Sequence, residues 1–451
     1  MKIIIIGAGK VGYSLAESLS KSNHDVTIID RSPIALGKAE ENLEVLCIRG
    51  SGVSTGILME AEIGTADLLI AVTNSDEVNM VCCLTAKKLG VKQTIARIRD
   101  PEYANELSIL KEELELDLII NPEQTAAEEI VNVLNFPIAV NVENFAKGRV
   151  KMVEIKATED MEVIGKPLKD IGSKLMSSVL IGVVVRNNEV IIPNGEFIIQ
   201  ENDNMYVIGK PSSLYSFCML SGKAPHKIRN VMIEGGGRIS IYLANLLTEM
   251  GIKVKLIEID KEKCVRLSEL LPGALIINGD GTDEELLKSE NISDIDGFIA
   301  MTGMDEENLM SALLTKRIGV KKVIAKVSRV NYISIIKSLG IDSVINPKLI
   351  TTNHILRFVR GNNIESLYRI IEGQAEITEL IADKESKIIN TKIKRLGLPK
   401  DVIIATIVRK KEVVIPHGND IIREGDRVIV ISKNKKISNL NEIVINPAGG
   451  V

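Results

Sequence analysis

The chain is 451 residues long, 45% hydrophobic and 26% charged, and at about 100–200 residues per domain this length predicts roughly two to four domains, each able to bury a core. The apolar share excludes a disordered chain, and 34 Gly with 13 Pro are too few for a linker-like one. Lys and Arg number 56 against 60 Asp and Glu, for a net charge of −4, and aromatic residues make up 3% with no Trp; that balance speaks against a protein that coats nucleic acid or stacks its bases.

From the N-terminus, short Ile/Val runs at 2–6, 26–29, 43–48, 68–72, 94–98 and 118–120 alternate with stretches such as 12–20 and 77–89, where apolar residues recur at i, i+3 and i+4. This alternation predicts a doubly wound, mostly parallel α/β sheet. Residues 123–135 read as a helix leaving that sheet and ending near Pro137. From about 140 to 222 the texture changes. Residues 179–186, a polar Asn187-Asn188 turn and 189–193 predict a β-hairpin, and 205–209 a closing strand. Residues 221–225 read as a linker and 448–451 as a frayed tail.

The rest of the chain repeats the first half, with Gly235 lying 228 residues after Gly7. Leu15, Ala16 and Leu19 fall on Leu243, Ala244 and Leu247, and Asp30 falls on Glu258. One inserted residue later, Gly50-Ser51-Gly52 meets Gly279-Asp280-Gly281, and Thr73, Asp76, Glu77 and Asn79 meet Thr302, Asp305, Glu306 and Asn308. A period this long signals duplicated domains, because solenoid repeats run about 20–50 residues. The expected organisation is two Rossmann-like doubly wound parallel-sheet domains, 1–137 and 228–350, each followed by a small α+β domain, 138–222 and 362–447.

The sequence Gly7-Ala8-Gly9-Lys10-Val11-Gly12 follows a buried strand and opens a helix, and Asp30 closes the next strand. Strand, glycines, helix and acid in that register form a dinucleotide fingerprint. The first glycine permits the tight turn, the second lets backbone approach pyrophosphate, and the third lets helix and strand pack closely, while the helix N-terminus favours a phosphate anion. Asp30 can accept hydrogen bonds from both ribose hydroxyls and would repel a 2′-phosphate, so NAD(H) is expected over NADP(H); the neighbouring Arg31 works against that preference.

Open α/β sheets bind ligands outside the carboxyl ends of their strands, which adds Gly50, Ser51, Thr73, Asn74 and Arg97 to the expected crevice, the last as a phosphate partner. Asp76, Glu77 and Asn79 fit either helix capping or ligand contact. The second copy, Gly235-Gly236-Gly237-Arg238-Ile239-Ser240, has lost the third glycine. Glu258 can take the part of Asp30 there, with Asp280, Thr302 and Lys326 at the other strand ends. That copy reads either as a weaker or different site, such as one for an adenine nucleotide, or as a relic that binds nothing.

No apolar run approaches the 18 or so residues of a membrane-spanning helix, and the few apolar residues before Gly7 fall short of a secretory core. The five cysteines form no CxxC pair, which fits a reduced cytosolic setting, and the four histidines lie too far apart to suggest a metal site. A dehydrogenase needs a proton donor beside the hydride site. His24 precedes the second strand, at the wrong edge of the sheet; His226 falls in a linker, His354 has no partner by spacing, and His417 falls in a β-turn of a small domain. The residues therefore favour a protein that binds nucleotide without consuming it. An NAD-dependent oxidoreductase and a stand-alone redox sensor remain the alternatives.

The order of modules resembles the TrkA family, the regulatory subunits of Trk potassium-uptake systems. The similarity is carried by the first glycine turn, Asp30, the stretches TNSDEVNM (73–80) and ARIRDPEY (96–103), the GGGRIS turn and VKLIEID (254–260). The resemblance implies a cytoplasmic protein, peripheral at the inner face of the membrane. It implies a homotetramer beneath a membrane-embedded potassium-translocating subunit, gating it according to bound NAD(H) or ATP/ADP. In related proteins the small modules can bind cyclic dinucleotides, so these modules are where a further small nucleotide effector would be sought. Ser51 and Ser240 depart from the Asp and Gly common at those places. Segments 123–137 and 347–361 would act as hinges relaying occupancy to the neighbouring modules.

Overall fold

A computed structural model of the chain describes residues 1–100, 103, 113–171, 178–220, 227–359, 364–434 and 436–444. The expected linker 221–225, the tail 448–451, His226 and Gly361 lie outside the described residues. The first lobe runs β1 (Lys2–Ile6), α1 (Lys10–Ser20), β2 (Asp25–Asp30), α2 (Pro33–Asn42), β3 (Leu46–Arg49), α3 (Thr55–Glu60), β4 (Leu68–Ala71), α4 (Asp76–Lys88), β5 (Gln93–Arg97), β6 (Leu118–Ile120) and α5 (Pro122–Asn135). Its six strands are parallel in the order β3-β2-β1-β4-β5-β6. The chain reverses direction of winding between β1 and β4, and that switch point is where such sheets take ligands. β1 can be solid isoleucine because both of its faces are covered: Ile3, Ile4 and Ile5 are fully buried.

A small antiparallel sheet follows, built from β7 (Asn141–Phe145), β8 (Val150–Lys156), β9 (Val179–Arg186), β10 (Glu189–Ile191) and β11 (Asn204–Gly209), with α6 (Pro211–Leu220) after it. The predicted hairpin is β9–β10, and its two turn residues adopt the left-handed conformation, φ 52° at Asn187 and 66° at Asn188, which asparagine tolerates. Sequence periodicity missed β7 and β8, because Glu143 and Glu154 interrupt their apolar pattern. Glu154 is nonetheless 2% exposed.

The third unit repeats the first: β12 (Asn230–Glu234), α7 (Arg238–Glu249), β13 (Lys253–Glu258), α8 (Lys261–Leu270), β14 (Ala274–Asn278), α9 (Glu284–Ser289), β15 (Gly297–Ala300), α10 (Asp305–Ile318), β16 (Lys322–Lys326), α11 (Asn331–Ser338), β17 (Ser343–Ile345) and α12 (Pro347–Val359). Its sheet order, β14-β13-β12-β15-β16-β17, is that of the first lobe. The fourth unit holds β18 (Ile364–Ile370), β19 (Ala375–Ile381), β20 (Val402–Arg409), β21 (Glu412–Val414) and β22 (Arg427–Lys433) in a second antiparallel sheet. Its described residues contain 3-10 turns but no α-helix.

The segments expected as hinges are the helices α5 and α12, and each packs on the opposite Rossmann-like lobe. Ala126, Ile130 and Leu134 of α5 share a core with Leu243 and Leu247 of α7. Ile355 and Leu356 of α12 share one with Leu15 and Leu19 of α1. Polar pins reinforce the exchange: Asn121 Nδ2 donates to the Tyr242 hydroxyl at 2.9 Å, and the buried Lys322 ammonium donates to the Ala139 carbonyl at 2.5 Å. The two small sheets pack on each other through Phe145, Val183, Ile377 and Ile431. The duplicated halves thus form one body rather than two beads.

Candidate functional site

The first crevice opens at the carboxyl ends of β1, β2, β3 and β4. Gly7 turns the chain there with φ +105°, and a Cβ on it would lie 3.2 Å from the Val72 and Thr73 backbone. A Cβ on Gly12 would lie 1.8 Å from the Gly7 carbonyl oxygen, so only glycine lets α1 approach the turn. Gly9, which precedes α1, faces open space, with nothing within 4 Å of a Cβ. Asp30 closes the turn from β2: the Ala8 amide donates to its Oδ2 at 2.6 Å and the Ser32 amide to its Oδ1 at 2.8 Å. The cavity, about 380 Å³, is lined by Gly7, Gly9, Asp30, Arg31, Gly50, Ser51, Thr73 and Asn74 among the expected residues. Ile6, Ile29, Gly52, Val72, Ser75 and Val78 complete its wall. Arg31 donates to the Ser51 hydroxyl at 2.8 Å, so the serine found in place of Asp anchors this wall.

Several expected residues stand elsewhere. Ala8, Lys10, Val11 and Gly12 form the turn and helix start without lining the cavity. Arg97, expected to pair with phosphate, instead donates to the Thr73 carbonyl and, at 3.5 Å, to Asn74 Oδ1. Burial, with Arg99 beside it, pulls its guanidinium down to about 10. Arg238, which opens α7 in the other lobe, adds to that repulsion, as Lys10 of α1 does for Lys326.

Asp76, Glu77 and Asn79 neither cap α4 nor line the cavity. The cap is Ser75, whose hydroxyl accepts from the Val78 amide at 3.1 Å. Asp76 accepts from the Arg99 and Asp100 amides at 2.7 and 2.9 Å, fixing the chain beyond β5. Glu77 accepts from the Ser75 and Tyr103 hydroxyls. Asn79, fully buried, accepts from the Thr73 amide at 2.8 Å and donates to the Arg97 carbonyl at 2.8 Å, tying β4 to β5. Asp305 and Asn308 repeat these bonds in the second lobe. Removing a buried partner strands polar groups at about 1–3 kcal/mol each. Asn79→Ala is therefore expected to lower stability by at least 2 kcal/mol, on the order of two such groups, as read from a urea unfolding midpoint.

The second crevice has the same plan in a larger cavity, about 600 Å³. Gly235, Gly236, Gly237, Glu258, Asp280, Thr302 and Lys326 line it, whereas Arg238 and Ile239 do not. The Gly236 amide donates to Glu258 Oε2 at 2.8 Å, the counterpart of the Ala8–Asp30 bond. Burial opposes ionisation of Glu258, but the Lys263 ammonium at 2.5 Å and the Asp260 and Gly236 amides outweigh it and hold the carboxyl below its usual range. Ser240, which stands where the motif has its third glycine, donates its hydroxyl to the Gly235 carbonyl, so a hydrogen bond stands where the first lobe has bare contact. Glu234, Lys263 and Glu307 also line the cavity and were not anticipated. Placing Glu234 against Ile6 in the repeat is the signal that would have found it.

Family models match the sequence of each unit in turn: the TrkA-N domain at residues 3–122 and 231–347, and the TrkA-C domain at residues 152–222 and 377–444. The chain is 40% identical over 441 residues to the Trk system potassium uptake protein TrkA homolog 1 of Methanosarcina mazei, covering 96% of this chain and 97% of that protein. It is 34% identical over 442 residues to the Trk system potassium uptake protein TrkA of Halomonas elongata, covering 97% and 96%. Among solved structures, the GsuK channel bound to NAD superposes with a TM-score of 0.63 at 18% identity, over 96% of this chain and 77% of that one. The GsuK RCK domain does so with a TM-score of 0.62 at 18% identity, over 96% and 92%. At that identity the structural likeness bears on the fold alone.

Proposed function

The chain belongs to the TrkA family, and on that premise we propose that it is a regulatory subunit of a potassium transporter that reads NAD(H) in its first crevice. Its role is regulatory rather than catalytic. The observation that carries the nucleotide reading is the clasp between the glycine turn and Asp30 over an open cavity at the switch point. The Asp30 oxygens each accept one backbone amide and retain lone pairs for the two ribose hydroxyls. The described wall of that cavity carries no His, Lys or Tyr to move a proton beside a hydride, which favours binding over turnover. In the second crevice, Glu258 is already engaged by Lys263, which suits a weaker adenine nucleotide such as ATP or ADP.

No helix among the described residues is long and apolar enough to cross a membrane, so the ion pathway is assigned to a membrane-embedded partner. In this reading the chain lies peripherally at the cytoplasmic face as a homotetramer, and the small modules are left for a further nucleotide effector. The exchanged helices supply the coupling. α5 leaves the first crevice and packs on α7, which opens the second, and α12 returns the favour on α1. Ligand in either crevice can shift the arrangement of the lobes only by its differential affinity for two such arrangements. Thermal unfolding with NAD⁺, NADH, ATP and ADP, beside an NADH-consumption assay with small carbonyl compounds, tests the reading. Stabilisation by NAD(H) without consumption is expected; a clear turnover would establish the oxidoreductase instead.

A further inference from the structure

The two lobes differ most sharply beneath their glycine turns. The repeat pairs Ile6 with Glu234 and, past the one-residue insertion, Cys82 with Ser311. In the first lobe this spot is apolar, and a Cβ on Gly52 would meet Ile6 Cγ2 at 2.2 Å and Cys82 Sγ at 3.1 Å. In the second, a Cβ on Gly281 would meet Glu234 Cγ at 2.4 Å and Oε1 at 2.7 Å. A carboxyl has replaced an isoleucine side chain at the cavity floor. Glu234 is 3% exposed; Oε1 accepts from the Ser311 hydroxyl at 2.9 Å, and Oε2 is buried without a hydrogen-bond partner among the described residues.

The charged groups around the cavity do not neutralise it. Glu307 on α10 and Asp280 after β14 add negative charge, and Glu258 at the end of β13 takes the Lys263 ammonium of α8 for itself. Lys326, at the end of β16, donates to the Met301 carbonyl at 3.3 Å. Burial first, then Glu307 and Asp280, push the Glu234 carboxyl up to about 7, against the pull of Ser311.

We propose that Glu234 makes the second crevice proton-linked, so that an adenine nucleotide binds there together with a proton on this carboxyl. The inference rests on the reading of that crevice as an adenine-nucleotide site. Bound phosphates would add negative charge and shut out water, and both penalise the ionised carboxylate. A ligand that raises a pKa takes up protons and, by reciprocity, binds more weakly as pH rises through the free-state value. Ile6 removes any such linkage from the first crevice, which gives the two sites different responses to pH.

The test is calorimetric titration of the full-length Asp30→Ala variant, which silences the first crevice, with ADP in two buffers of different ionisation enthalpy. Because the ADP phosphates titrate too, the signal is the difference from the same protein carrying Glu234→Gln. A second comparison, Glu234→Ile with Ser311→Cys, copies the first lobe and guards against a folding defect. Expected at pH 7 is about half a proton more taken up per ADP with Glu234 than with Gln, and about tenfold extra loss of affinity between pH 6 and pH 8. Binding with equal proton uptake in all three proteins overturns the linkage alone. Absence of ADP binding at every pH from about 6 to 8 overturns the second-site reading and the linkage with it.

Discussion

Asp30→Ala is expected to remove most of the response to NAD(H). NADH at a hundred times its Kd stabilises a protein by about 2.7 kcal/mol. Hydrogen bonds to a charged acceptor contribute about 1.5–3 kcal/mol each, so losing both ribose contacts weakens binding by roughly a hundredfold or more. At the same NADH concentration the stabilisation then falls to about 0.4 kcal/mol or less. Asp30 also holds the Ala8 and Ser32 amides, so the ligand-free variant melts lower as well, and the diagnostic quantity is the ligand-induced difference. An unchanged NADH shift in thermal unfolding would refute the assignment of this carboxylate.

The second large effect separates two glycines of one motif. In Gly12→Ala the new Cβ falls 1.8 Å from a backbone oxygen that cannot rotate away. Overpacking of this kind costs about 1–3 kcal/mol or more, and the melting temperature is expected to fall with or without nucleotide. Gly9→Ala places its methyl in open space, so its ligand-free stability should stay within about 0.5 kcal/mol of the parent. Yet that space is where pyrophosphate would approach, and NADH affinity is expected to drop. Calorimetry of both variants decides: a Gly9→Ala protein that binds NADH as the parent does would remove the phosphate from this turn.

How much of this was legible in the sequence follows from how far each signal reaches. Strands covered on both faces announce themselves, as β1 does with four consecutive isoleucines, and the repeat carries the reading to the second lobe even where Ser240 breaks the motif. The position of Asp30 was legible because register with the glycines sets it beside the turn. The functions of Asp76 and Asn79 were not, since their partners include backbone groups at the end of β5 and past it, at Arg97, Arg99 and Asp100, that only the fold brings near. The contact of Arg97 was hidden for the same reason: its position at a strand end does not say that its head turns back to the Thr73 carbonyl. β8 escaped because the buried Glu154 reads as a surface residue until its surroundings are known, and β7 because only Val142 and Phe145 of its five residues are buried. The exchange of α5 and α12 had no local signal at all; both look like helices that end their own lobes.

Potassium flux through the membrane-embedded partner, reconstituted in vesicles with this chain and with NADH as the only variable, decides whether bound nucleotide regulates transport. Flux is expected to change on adding NADH, with no NADH consumed, and the change to disappear with Asp30→Ala. Flux that is the same with and without NADH, in vesicles where the chain is bound to its partner, would contradict regulation by NADH.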